Sequence, residues 1–207
     1  MKPGKGIRAA VMLCAVGLLL QGCAARKSAL APEEQRAWDN FIAKQLDQGM
    51  AQPTSQDADA VAAIGDKIVP YVEENLGKAY RGPGGKGDYW LVIVLARIGT
   101  PRAIDGIEKV LEHDYDGKIQ LDREVAASAL VWLGAKEAAP ALREAIADQE
   151  RLIRERSEGD PTKAARFGWD EGLANLKTSL QQLEQGIGVR SARNFPFFGV
   201  RERSSRF

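Results

Sequence analysis

The alternation of hydrophobic and polar positions changes character several times along this chain. Ala9 to Leu20 form an apolar run of twelve residues behind Lys2, Lys5 and Arg8. From Pro32 onward the apolar positions spread out to helical spacing. Trp38, Phe41, Ile42 and Leu46 share one face, and the proline sits in a first turn, where its missing N–H costs nothing. This predicts a helix from Pro32 to about Leu46, with Gly49 to Ser55 as its exit loop. Further on, Arg151, Arg154 and Arg156 interleave with Glu150, Glu155 and Glu158, which reads as a solvated, ion-paired helix face. Gly159, Asp160 and Pro161 interrupt that helix. A last amphipathic helix follows, with Trp169, Leu173, Leu176, Leu180 and Leu183 in one stripe, and an irregular tail is expected from Gly188.

Between the first and last helices the pattern repeats at a spacing of 35 residues. Leu95, Ile98, Gly99, Ala103, Ile107, Val110 and Leu111 align with Leu130, Leu133, Gly134, Ala138, Leu142, Ala145 and Ile146. An earlier copy begins at Val61, Ile64 and Gly65. After a one-residue deletion, Val69, Pro70, Val72 and Leu76 fall in register with Ile104, Asp105, Ile107 and Leu111, so Pro70 matches Pro140. Each copy predicts a helix, a tight turn at the glycine and a second helix. The glycine supplies the left-handed residue that a helix C-terminus often needs, and a proline near the start of the second helix is well tolerated there.

This pattern resembles the HEAT-like repeats of the armadillo-type superhelical proteins, particularly the short bacterial kind. The resemblance spans roughly Asp57 to Ala147, is clearest from Ala127 to Ile146, and is carried by Ala129-Leu130, Leu133-Gly134 and Ala139-Pro140-Ala141-Leu142. The chain departs from the family in its first copy, in the glycine-rich insertion Gly82 to Gly87, and in having Trp132 where small or polar residues are commoner. The expected fold is all-α: a short α-solenoid of about three HEAT-like helical hairpins within residues 32–187, with an added N-terminal helix and a C-terminal helix capping the exposed apolar end. The resemblance also implies that the second helices line a concave surface. Here that surface would present Asp105, Glu108, Lys109, Arg143 and Glu144.

The N-terminal run ends at Gln21, short of the about 20 apolar residues a membrane-spanning helix needs, and together with its basic start it reads as a secretory signal. Leu20, Gln21, Gly22 and Cys23 resemble the lipobox of bacterial lipoprotein signals, Gln21 being the least typical of the four. The resemblance implies cleavage between Gly22 and Cys23, a diacylglycerol on the Cys23 thiol and an acylated new amino terminus. Residues 1–22 are then the signal peptide and 23–31 a tether, which at roughly 3.5 Å per residue reaches only about 30 Å from the lipid. Ala24 stands where an aspartate retention signal would be. By resemblance to Gram-negative lipoproteins, the expected location is the outer membrane, facing the periplasm, and the outer face of the cytoplasmic (inner) membrane is the alternative.

Removal of the signal changes what chemistry remains. The only other cysteine, Cys14, leaves with it, so the mature domain is expected to have no disulfide, no cysteine nucleophile and no thiolate metal site, and to depend on packing for stability. Lys2, Lys5 and Arg8 leave as well, which turns the formal +1 into about −2. Basic charge is concentrated in the tail 188–207, where Arg190, Arg193, Arg201, Arg203 and Arg206 face a single acid, Glu202. An exported acidic domain does not suggest nucleic-acid binding.

No segment predicts catalysis or metal binding. Glu112, Asp114, Asp116, Gly117 and Ile119 imitate the start of a calcium loop, but Arg123 stands where the bidentate glutamate belongs. A linker with a turn at Asp116-Gly117 and an N-cap at Asp122 explains the same residues. His113 is the only histidine, too little for a usual zinc site, and no Gly-x-Ser-x-Gly elbow positions a nucleophile. Arg81 to Gly87 lack the preceding strand and the spacing of a phosphate loop. No cofactor is expected beyond the covalent lipid on Cys23.

Trp132 is expected either to pack against a neighbouring helix, the favoured outcome, or to protrude as a contact. The chain therefore reads as a membrane-anchored periplasmic adaptor or scaffold that binds a protein partner. The alternative is a small enzyme or accessory subunit with an unrecognised site in the C-terminal third. A third possibility makes the tail, with Phe195, Phe197, Phe198 and Phe207, the recognition element itself or lays it on the lipid surface.

Overall fold

A computed structural model describes residues 29–47, 51–78, 87–112, 120–160 and 162–187. Among the described residues it is built of α-helices and short 3-10 turns: α1 (Pro32–Leu46), α2 (Ser55–Ala62), α3 (Val69–Asn75), α4 (Tyr89–Ile98), α5 (Pro101–Glu112), α6 (Gln120–Leu133), α7 (Ala139–Arg156), α8 (Lys163–Arg166) and α9 (Trp169–Glu184). None of these helices is long and apolar enough to cross a membrane.

The local rules act where the sequence places them. α4 closes on Gly99 and α6 on Gly134, with φ of 65° and 68°, and Gly99 N–H donates back to Leu95 O, so the left-handed residue ends each first helix. Pro70 and Pro140 sit in the first turns of α3 and α7. Thr54 and Asp57 cap α2 reciprocally: the Thr54 hydroxyl accepts from Asp57 N–H at 3.2 Å, and the Asp57 carboxylate accepts from Thr54 N–H at 2.8 Å. Lys44 of α1 reaches the same carboxylate at 2.9 Å and fastens α1 to α2.

Three hairpins, α2/α3, α4/α5 and α6/α7, stack in sequence. α2, α4 and α6 form one row and α3, α5 and α7 the other, while α1 covers α2 and α9 lies across both α6 and α7. The 35-residue register is a register of burial: Leu95, Ala103, Ile107, Val110 and Leu111 and their counterparts Leu130, Ala138, Leu142, Ala145 and Ile146 are all buried. Trp38 and Phe41 close one end of this core, and Leu176 and Leu183 close the other. The fold is thus the short α-solenoid of about three hairpins, with the added helix at one end and the capping helix at the other.

One local expectation is corrected and two are refined. Asp122 is not an N-cap: it is the third residue of α6, and its carboxylate serves another helix. The final helix is preceded by a separate turn, α8, from which Gly168 (φ 71°) leads into α9. The folded part also begins before Pro32, since Leu30 packs against the core and Ala31 N–H donates to Glu34 Oε2 at 2.8 Å. Gly22, Cys23, the insertion 82–86, His113 to Ile119 and the tail 188–207 lie outside the described residues.

Candidate functional site

The face formed by the second helices is built by the strong amphipathicity of α5. Ala103, Gly106, Ile107, Val110 and Leu111 turn inward, so Asp105 and Lys109 stand exposed and Glu108 half-buried beside them. Lys109 is not loose on this face, because its ammonium lies 2.6 Å from Glu73 Oε1 on α3. On α7, Leu142, Ala145 and Ile146 are buried and Arg143 and Glu144 exposed. Arg143 turns toward the cap, 2.5 Å from Glu184 Oε1 on α9. Both cations that the sequence places on this surface therefore serve as ties between hairpins or between hairpin and cap.

The acids remain. Burial, followed by the nearby charges of Asp105, Glu112 and Glu137, pushes the Glu108 carboxyl above its ordinary value. The structure thus brings Asp105, Glu108 and Lys109 together with two residues that the sequence did not nominate, Glu112 at the end of α5 and Glu137 in the turn before α7. Glu112 read as the first position of an imitation calcium loop. Glu137 had no periodic signal, because it stands in a 3-10 turn. Glu144 and Arg143 lie one helix further along.

Trp132 does not join this face. It is half-buried on α6 and packs against the hydrophobic core, which is the favoured expectation for it. An aromatic contact that was not foreseen appears instead at the cap: Phe167, 57% exposed, stacks on Trp169 at 5.3 Å between ring centroids, with Arg166 5.4 Å from the Phe167 ring centre. The tight Gly168 turn brings these rings together. In the sequence, Trp169 belonged only to the core stripe of α9.

Beneath the outer face runs a buried arginine that the sequence assigned only a negative role. Arg123 stands where a calcium loop would need glutamate. In the fold its side chain is 2% exposed and donates to Asp148 Oδ2 at 2.8 Å and Gln149 Oε1 at 3.4 Å, both on α7. Burial pushes the Asp148 carboxyl up, but hydrogen bonds from Arg123 and Arg151 outweigh it and hold the group below its ordinary value. This is a structural clamp between the two helices of the third hairpin. Among the described residues no group of three or more histidine, cysteine, aspartate or glutamate side chains is arranged to hold a metal ion.

Comparison with known families matches the PBS lyase HEAT-like repeat to residues 89–113 and 122–148. These two matches coincide with hairpins α4/α5 and α6/α7, the pair with the clearest internal register. No curated protein and no solved structure shows significant similarity to the chain.

Proposed function

We propose that this HEAT-like repeat chain is a lipid-anchored adaptor or scaffold that binds a protein partner through the face of its second helices. The carrying observation is the arrangement of α3, α5 and α7 in one row, with the inward side of α5 wholly committed to the core and its charged side left outward. A surface so built is extended and polar, suited to another protein's side chains rather than to a small molecule. Its acids, Asp105, Glu108, Glu112 and Glu137, match a partner surface of basic character.

The anchoring half of the proposal rests on the sequence Leu20-Gln21-Gly22-Cys23 behind a short apolar run. Two or three acyl chains hold a protein on a bilayer stably, whereas one is marginal, each buried methylene contributing about 0.8 kcal/mol. The outer membrane, facing the periplasm, is the proposed location. The test is metabolic labelling with a fatty-acid analogue combined with the intact mass of the purified protein. Lipid mass on an N-terminal Cys23, absent in Cys23→Ser, is expected; a mature form that begins elsewhere without lipid rejects the anchor. For the partner, a photo-crosslinking residue placed at Asp105 in living cells should capture a protein that the same residue at Ala60, exposed on α2 in the other row of helices, does not. Identical capture at both positions would remove the assignment to the α5 face.

A further inference from the structure

A series of polar contacts crosses the stack below its surface. Gly77 N–H, just beyond α3, donates to Asp88 Oδ2 at 2.7 Å. The backbone N–H groups of Asp88 and Tyr89, at the start of α4, donate to the carboxylate of Asp122 on α6. The next residue, Arg123, reaches Asp148 on α7. Asp122 is therefore a polar link between the second and third hairpins, beside the apolar packing of α4 on α6, and it is 1% exposed.

Its hydrogen bonding is incomplete in a particular way. Asp122 Oδ2 is buried without a partner. Gln45 of α1, equally buried, donates through Nε2 to Gly87 O at 2.5 Å, and its Oε1 has no partner either. Gln45 and Asp122 thus both engage the short segment 87–89, and the buried atom that each leaves over is an acceptor. A carboxylate has nothing but acceptors to offer here, whereas a carboxylic acid brings one donor and no charge. Protonation therefore removes a desolvated charge and gives the carboxyl a hydrogen to donate.

We propose that Asp122 is a protonation latch of the stack. Protonated, it holds α6 against the start of α4. Ionised, it draws water into the junction and loosens the spacing of the two hairpins, and with them of α5 and α7. Only that consequence for the outer face rests on the function proposed above; the latch is a property of the junction itself.

The charged groups around it do not replace the proton. Burial and the backbone donors of Asp88 and Tyr89 act on Asp122, and no charged side chain of a packed element stands among the causes of its shift. On α6 itself, the neighbouring Arg123 is turned to Asp148 of α7, and Glu124 accepts from Asn175 of α9 at 2.6 Å. Burial is the leading cause that pushes the Asp122 carboxyl up to about 7, against the two backbone donors that pull it down. An opened junction returns it to water and to an ordinary value near about 3.9. Because the closed-state value is the higher one, the latch contributes fully below about pH 4 and its contribution is lost as pH rises through about 7. The ratio of open to closed junction accordingly climbs by up to about tenfold per pH unit in between and levels off above.

The full chain tests this by carboxyl ¹³C NMR of Asp122, together with amide exchange at Asp88 and Tyr89 corrected for the intrinsic pH dependence. A carboxyl midpoint near about 7 is expected, with the two amides losing at least about tenfold protection between about pH 5 and 7.5. Asp122→Asn should abolish that pH dependence, and Glu108→Gln, which alters a second raised carboxyl, should leave it intact. A midpoint below about 5, or an Asp122→Asn protein whose two amides still respond as the parent's do, overturns the latch. If Asp122→Asn fails to fold, the carboxyl midpoint in the unaltered chain decides alone.

Discussion

α4 and α5 are the two halves of one hairpin and live under opposite constraints. In α4 every residue from Tyr89 to Arg97 is buried, because α2, α5 and α6 surround it. In α5 burial is confined to one stripe, and Asp105, Lys109 and Glu112 meet solvent. The two helices touch closely where Gly106 admits Leu95, whose methyls would lie 3.2 and 3.3 Å from a side-chain carbon there. On α4 a residue type is dictated by volume. On the outer side of α5 volume dictates little: Lys109 ties α5 to Glu73 of α3, and the acids Asp105, Glu108 and Glu112 that stand beside it call for another explanation.

The inner row should tolerate truncation least. Leu95→Ala and Leu130→Ala remove fully buried side chains at matching positions of consecutive repeats, and each should destabilise the fold by about 2 to 5 kcal/mol. Leu142→Ala, on the inward side of α7, belongs to the same class. Denaturant unfolding measures these losses. Parent-like midpoints for all three would undo the register on which the repeat assignment stands.

A smaller effect is expected at the clamp between α6 and α7. Asp148→Asn deprives the buried Arg123 guanidinium of its charged partner while leaving Gln149 in place. Removing one member of a fully buried pair is severe, but Asp148 is partly open to water, which brings the expected loss to about 1 to 3 kcal/mol. The pH dependence carries a definite sign. Since Asp148 is held below its ordinary value, its contribution is present above the unfolded value of about 3.9 and disappears as pH falls through the lower folded one. Stability curves of the parent and Asp148→Asn should therefore separate at neutral pH and converge in acid. A gap that persists unchanged to about pH 2 would mean that packing, not charge, underlies the loss.

These two positions also show where the sequence can and cannot be read. Leu95 and Leu130 announce themselves through a 35-residue register, because burial in a stack recurs with the repeat and leaves a periodic trace. The same periodicity locates the glycine turns, the prolines of α3 and α7, and the stripe of the capping helix. Arg123 and Asp122 leave no such trace. Their partners lie on other helices, as far as Asp148 and the backbone at Asp88, so their types look like linker chemistry until the hairpins are stacked. Asp105, Glu108 and Lys109 were legible as outward residues of a second helix. Their electrostatic company, Glu112 and Glu137, was not, because proximity across the turn before α7 is a property of the assembled stack.

The smallest effect, at Glu108, has the opposite sign to the others. Glu108 is kept above its ordinary value by burial and then by Asp105, Glu112 and Glu137, so its ionised form is disfavoured in the folded chain. A raised folded value means that the group's contribution is fully present below the unfolded value of about 4.3 and is lost as pH rises through the folded one. Glu108→Gln escapes that loss and should stabilise the fold at neutral pH by about 0.5 kcal/mol, the size of a like-charge pair on a partly exposed helix face. The gain should shrink in high salt, which screens the neighbouring acids, and vanish below about pH 4, where the parent carboxyl is itself neutral. Thermal melts across those conditions read it directly. A loss of stability at neutral pH would mean that Glu108 has a structural partner and that α5 is constrained outside as α4 is inside. A gain, combined with weaker crosslinking from Asp105, would show an acidic face maintained against the interest of the fold, as a binding surface often is.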